Sequence, residues 1–191
     1  DQTFENFEFI IVNDGSTDGS KEILERLADR DERIRLVHQE NKGLIASLNR
    51  GLNMARGQYV ARMDGDDITH PKRFEKQINF LESNPRVGIL GTQIERVDAE
   101  GNPDGQWRLP TDPGVIEWQL LFNSCLCHPT VMMRHSLLDH LDGYVEWATY
   151  AEDFELWTQA VRVSRLANLS DTLLKLRRHE ESVTVSKRRE Q

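Results

Sequence analysis

Apolar runs and amphipathic segments alternate along the first half of the chain. Residues 7–13 (FEFIIVN) form an apolar run that ends in a turn at Asp14, which predicts a buried strand followed by a loop. Residues 19–30 place Ile23 and Leu27 on one face among charged positions, which predicts an amphipathic helix. The chain therefore begins with a strand that leads into a helix.

The alternation continues to residue 97 and becomes less regular afterwards. Further strands are predicted at 34–37, 58–63, 87–97, 131–133 and 173–176, and further helices at 44–55, 72–83, 112–122, 135–140 and 152–163. Residues 98–105 are rich in turn-forming residues. Strands that alternate with helices predict an α/β fold with a mainly parallel sheet and helices on both faces.

Length and charge narrow the classes of function. A chain of 191 residues suits one domain, and a formal net charge of −8 argues against nonspecific binding to a polyanion, so no nucleic-acid partner is expected. No apolar run approaches the roughly 18 residues of a membrane span, and no secretory leader is recognisable. These features lead us to expect a cytoplasmic protein.

Cys125 and Cys127 are the only cysteines, and His128 follows them. Two thiols are too few for a disulfide framework or a four-cysteine zinc site. A Cys-Cys-His cluster is one interpretation, and buried structural side chains are the simpler one, since cysteine is among the most often buried residues.

Acidic side chains follow two of the predicted strands. Asp14 comes after the first, and Asp64, Asp66 and Asp67 come after the strand at 58–63. If these strands are neighbours in a parallel sheet, their ends meet in one crevice. Crowded carboxylates favour a hard divalent cation, although a solvated acidic turn has the same composition.

Two other kinds of site are excluded by the residues present. Ile68 and Thr69 occupy places where a calcium-binding EF-hand loop needs an oxygen ligand and a glycine. No glycine-rich phosphate loop follows any of these strands, so phosphate binding at the acidic cluster would need a metal.

Motifs that carry a family resemblance run through nearly the whole chain. They are VNDGSTDGS at 12–20, Asn41-Lys42-Gly43, MDGDD at 63–67, His128-Pro129-Thr130, AEDFELW at 151–157, and Arg178-His179. In this order they resemble the family 2 glycosyltransferases of GT-A fold. The resemblance implies a single domain over 1–191, with a nucleotide-binding half at 1–97 and an acceptor and catalytic half at 98–191.

The resemblance also implies roles for the acidic residues. Asp14 would contact the nucleotide base, Asp64 would lie near the ribose, and Asp66 would ligate Mn²⁺ or Mg²⁺ bridging the donor diphosphate, with Asp67 in support. His179 would be a further metal ligand, although a histidine among charged residues is commonly a surface side chain.

The same resemblance places the catalytic base in the Glu152-Asp153 pair, and we choose Asp153. Without it, two acidic residues there fit ordinary electrostatics of the first turn of a helix. Trp157 lies at core spacing on that helix, with contact to a sugar as the alternative.

The resemblance implies inverting transfer of one sugar from a nucleotide-diphosphate sugar, most simply a UDP-sugar, to a glycan or glycolipid. The alternatives are a nucleotidyltransferase and a noncatalytic nucleotide- or sugar-binding module. The family's first strand has no counterpart here, so we expect a preceding segment. Lys187, Arg188 and Arg189 could contact anionic lipid at the inner face of a membrane.

Overall fold

The computed structural model describes residues 2–178. Its strands are β1 (Phe9–Asp14), β2 (Ile34–Gln39), β3 (Tyr59–Ala61), β4 (Ile68–Thr69), β5 (Val87–Val97), β6 (Pro103–Trp107), β7 (Met132–Arg134) and β8 (Arg165–Arg177). Its α-helices are α1 (Ser20–Ala28), α2 (Leu44–Met54), α3 (Arg73–Ser83), α4 (Pro113–Gln119), α5 (His135–Leu141) and α6 (Glu152–Ala160). Short 3₁₀ helices occupy His128–Thr130 and Glu146–Ala148. The predicted α/β alternation is confirmed.

The strands form two sheets rather than one. β1 and β2 pair in parallel as a two-stranded sheet, in which Asp14 lies opposite Gln39. The larger sheet has the order β3-β7-β5-β8-β4, and β6 pairs with β5. The sequence predicted a shared crevice for Asp14 and the aspartates after β3 only if β1 and β3 were neighbouring strands. They belong to different sheets, so they are not neighbours.

The larger sheet is mixed in direction. β5 and β8 are parallel, whereas β4 is antiparallel to β8 and β6 is antiparallel to β5. Parallel strands covered on both faces read as near-continuous apolar runs. β5 fits this rule, because eight consecutive residues from Val87 to Ile94 are buried. β5 is thus the central strand of the sheet.

The chain divides into two compact units. One includes residues 2–3, 61–132 and 164–178, and the other includes residues 4–60 and 133–163. The first unit contains β5, β8, α3 and α4, and its core includes a cluster of Ile94, Leu109, Cys127 and Leu174. The second contains β1, β2, α1, α2, α5 and α6. These boundaries differ from the predicted division at residue 97, which stays a prediction about function.

The predicted apolar face of α1 is not buried. Ile23 and Leu27 are 51% and 44% exposed, although their spacing is that of an amphipathic helix. Periodicity therefore predicted the helix correctly but not its burial.

Over residues 2–178, no helix has the length and apolar character required to cross a membrane.

Candidate functional site

The loop of residues 64–67, which we call the acidic loop, joins β3 to β4 in the first unit. Asp64 is held by both terminal nitrogens of Arg62: Nη1 donates to Oδ2 at 2.7 Å, and Nη2 pairs with Oδ1. A bidentate ion pair of this kind fixes both the position and the orientation of the carboxylate. Asp64 is therefore preorganised by the residue two positions before it.

Asp67 is the buried member of the acidic loop, with 7% of its surface exposed. Its Oδ1 accepts a hydrogen bond of 3.0 Å from the backbone amide of Arg177. Its Oδ2 is buried and accepts no hydrogen bond. Burial raises the pKa of Asp67 to about 6, and the charges of Asp64 and Asp66 act in the same direction. The loop therefore carries a buried carboxylate whose negative charge is only partly compensated.

The side chain of Asp66 is exposed, while its backbone carbonyl accepts a hydrogen bond of 3.1 Å from Nε of Arg177. No group of three or more His, Cys, Asp or Glu side chains in the part of the chain that the structure describes is arranged to enclose a metal. Mg²⁺ commonly binds through one or two carboxylates, water and substrate phosphate instead. The exposed carboxylate of Asp66, next in sequence to the buried Asp67, fits that kind of site.

Asp14 lies at the end of β1 in the second unit, and its carboxylate organises a neighbouring loop. Oδ1 accepts from Nε2 of Gln39 at 2.7 Å and from the amide of Lys42 at 2.8 Å. Oδ2 accepts from the amide of Gly43 at 2.9 Å. Burial tends to raise the pKa of Asp14, but these hydrogen bonds outweigh burial and hold the pKa below its ordinary value. Asp14 thus holds in place the loop that precedes the N-terminus of α2.

The turn after Asp14 requires glycine. Gly15 has a φ of +78°, and a Cβ there would lie 2.8 Å from the backbone nitrogen of Asn41. The Asp-Gly step therefore allows the chain after β1 to pass close to the loop that Asp14 binds.

Asp153 lies in the first turn of α6, also in the second unit. Its Oδ1 accepts a hydrogen bond of 2.7 Å from the amide of Phe154. Tyr150, three residues earlier, has a φ of +74°, which is unusual for a bulky side chain and often marks a functional segment. The candidate base is therefore presented directly after a strained turn.

The buried residues of the structure include Trp157, both cysteines and His128. Trp157 is fully buried, which confirms the core interpretation. Cys125 and Cys127 are also buried, and they form no disulfide. Burial, assisted by the positive charge of Arg62, lowers the pKa of His128 well below its ordinary value. His179 and the basic residues at 187–189 lie outside the described residues.

Sequence reasoning did not single out Arg62 or Arg177. The position of Arg62 carried a usable signal, because side chains two residues apart in extended backbone point to the same side. Arg177 carried none, since it lies 110 residues from Asp67 along the chain. Its role emerges only from the pairing of β8 in the larger sheet.

Comparison with known proteins shows the family. Residues 1–142 match the model of glycosyl transferase family 2. The chain belongs to this family. An uncharacterised glycosyltransferase of Haemophilus influenzae is 36% identical over 188 residues, covering 93% of this family 2 chain and 58% of the relative. The amylovoran biosynthesis glycosyltransferase AmsE of Erwinia amylovora is 33% identical, covering 98% of the chain and 70% of AmsE.

Solved structures show that the family 2 chain has the GT-A fold. TarS from S. aureus, solved with UDP-GlcNAc, superposes with a TM-score of 0.75 at 23% identity, over 95% of this chain and 53% of TarS. The mannosyltransferase PcManGT from Pyrobaculum calidifontis, solved with GDP-Man and Mn²⁺, superposes with a TM-score of 0.69 at 18% identity, over 98% and 52%. The chain thus spans about half the length of these solved proteins.

Proposed function

We propose that this family 2 chain transfers one sugar, with inversion, from a nucleoside-diphosphate sugar to a hydroxyl of a glycan or glycolipid. The donor proposed first is a UDP-sugar, the class bound in the TarS structure. AmsE is named for the biosynthesis of amylovoran, which agrees with an acceptor of this kind.

The observation that carries the proposal is the state of Asp67. Its carboxylate is buried, one of its oxygens has no hydrogen-bond donor, and two further aspartates lie in the same loop. A proton neutralises Asp67 below its pKa of about 6, but at higher pH its charge is costly unless a cation compensates it. A divalent cation with the donor diphosphate would supply that compensation.

Asp66 is the residue we propose as the metal ligand, with Asp67 supporting it and Asp64 directed toward the ribose. Mn²⁺ or Mg²⁺ bound there would neutralise the charge that develops on the leaving nucleoside diphosphate. The bidentate pair with Arg62 keeps Asp64 in one orientation before the donor arrives. Asp14 would help to bind the nucleotide base by holding the loop at Lys42 and Gly43.

Asp153 is the residue we propose as the general base. The N-terminal end of a helix stabilises negative charge, so a carboxylate in the first turn of α6 suits this role. The base would take the proton of the acceptor hydroxyl as its oxygen forms a bond to the anomeric carbon and the bond to the diphosphate breaks.

The first experiment measures UDP binding by calorimetry, with Mn²⁺ and with EDTA, on the full-length protein. Asp66→Asn should lose the Mn²⁺-dependent part of the affinity. Asp104→Asn is the matched control, because it makes the same charge change at a surface carboxylate that pairs with Arg178. Equal Mn²⁺-dependent binding by wild type, Asp66→Asn and Asp104→Asn would contradict the metal assignment.

The second experiment separates catalysis from binding. Asp153→Asn should lower turnover by about a hundredfold or more while leaving UDP affinity nearly unchanged. Glu152→Gln makes the same type of change at the preceding residue and should retain most activity. If only Glu152→Gln lost turnover, the base would be Glu152. Release of pyrophosphate from a nucleoside triphosphate would instead indicate a nucleotidyltransferase.

A further inference from the structure

Arg177, the last residue of β8, contacts two separate segments of the first unit. Its Nε donates to the carbonyl of Asp66 at 3.1 Å. Its Nη1 donates to the carbonyls of Asp98 and Ala99 at 3.3 and 2.5 Å. One guanidinium thus links the acidic loop to the turn between β5 and β6.

That turn is itself strongly braced. The carboxylate of Asp98 accepts from the backbone amide of Asn102 at 2.8 Å and from its side-chain amide at 3.1 Å. The amide of Gly101 donates to the carbonyl of Asp98 at 3.1 Å. These bonds hold the backbone of the turn in one conformation, so Arg177 links the acidic loop to a hydrogen-bonded turn.

We propose that Arg177 is a positioning residue for the metal, acting through the backbone of Asp66. The inference rests on the proposed function, since it concerns the same metal and donor. Residues that hydrogen-bond to metal ligands and orient them commonly contribute 10- to 100-fold to metal affinity. Arg177 would do so by fixing the carbonyl of Asp66 and thereby the direction of its carboxylate.

The backbone geometry allows the guanidinium to be tested by itself. Arg177 lies opposite Val97 in the parallel pairing of β5 and β8, and the amide of Arg178 donates to the carbonyl of Val97 at 2.9 Å. The bond to Asp67 comes from the backbone amide of Arg177. A side-chain substitution at 177 therefore keeps that bond and removes the contacts to Asp66, Asp98 and Ala99.

The experiment compares Arg177→Gln, Arg177→Lys and Arg108→Gln in the full-length protein. Arg108 is the matched control, because it is an exposed arginine of the same unit and its guanidinium donates to the side chain of Gln106 at 2.8 Å. The readout is the Mn²⁺ concentration that gives half-maximal UDP binding, together with the free energy of unfolding in EDTA.

Arg177→Gln should raise that Mn²⁺ concentration about tenfold, whereas Arg108→Gln should change it less than about twofold. Arg177→Lys should recover only part of the loss, because an ammonium cannot donate in the fixed fork of a guanidinium. Asp98→Ala, which loosens the turn, should not add its full effect to that of Arg177→Gln.

Two failures are distinguishable. If wild type binds UDP without any response to Mn²⁺, the metal assignment in the proposed function is wrong, and the question of Arg177 does not arise. If wild type responds but Arg177→Gln requires the same Mn²⁺ concentration as wild type and Arg108→Gln, Arg177 has no positioning role, whatever its effect on stability.

Discussion

Arg73 and Gln77 lie one turn apart on α3, and Nε of Arg73 donates a hydrogen bond of 3.0 Å to Oε1 of Gln77 inside the core. Both side chains are fully buried. Nη2 of Arg73 donates to the carbonyl of Arg62, and Nε2 of Gln77 donates to the carbonyls of Leu90 and Thr130 at 2.8 and 2.9 Å. The pair thus ties α3 to the backbone that leads into the acidic loop.

Gln77→Leu should strongly destabilise the protein. Leucine fills a similar volume, so the variant mainly removes the hydrogen bonds to Arg73, Leu90 and Thr130 and leaves those groups buried without partners. We expect a loss of about 3–5 kcal/mol in the free energy of unfolding, measured by urea denaturation. Asn79→Ala, at an exposed position on the same helix, should change it by about 0.5 kcal/mol or less. A loss at Gln77 no larger than at Asn79 would exclude this role for the pair.

His128 should make stability fall in mild acid. Burial and the charge of Arg62 hold its pKa well below 6.5 in the folded protein, so His128 stays neutral there. In the unfolded chain it binds a proton below about pH 6.5, which favours unfolding as the pH falls. The free energy of unfolding in EDTA should therefore decline between pH 7.5 and 5.5 by on the order of 1 kcal/mol more in wild type than in His128→Gln. Parallel curves for the two proteins would refute the assignment.

Asp14→Asn should destabilise the protein even without nucleotide. An asparagine amide would direct an N–H toward one of the three donors that now meet the carboxylate, from Gln39, Lys42 and Gly43. We expect a loss of about 2 kcal/mol in the free energy of unfolding. Asp29→Asn is the control at an exposed position of the same unit, and an equal loss there would argue against the role of Asp14.

The sequence predicted the elements of this fold better than their pairing. The order of most strands and helices followed from apolar periodicity, and the long central strand β5 was predicted at its full length, Val87–Val97. β4 and β6 were not predicted. β8 was predicted only at 173–176, because Asn168, Ser170 and Asp171 interrupt its apolar pattern. Nδ2 of Asn168 donates to the carbonyls of Pro110 and Cys125, so a polar residue in this strand satisfies buried backbone groups. Such long-range partners leave no local trace in a sequence.

The candidate site likewise contains residues that the sequence identifies and residues that only the structure reveals. Asp64, Asp66 and Asp67 were recognisable because they are close in sequence and belong to a known motif order. The arginines that hold them, Arg62 and Arg177, act through contacts with a neighbouring carboxylate and with distant carbonyls. A motif identifies groups that do chemistry, whereas their supports depend on which strands become neighbours.

Arg62→Lys should weaken nucleotide binding without unfolding the protein. Lysine retains the positive charge but cannot hold both oxygens of Asp64 in one plane, so the carboxylate gains freedom that donor binding must remove. We expect Mn²⁺-dependent UDP affinity to fall about tenfold, measured by calorimetry. Arg108→Lys is the control, because Arg108 is an exposed arginine of the same unit that donates to the side chain of Gln106. If both variants bound UDP equally, preorganisation of Asp64 by Arg62 would contribute nothing to donor binding.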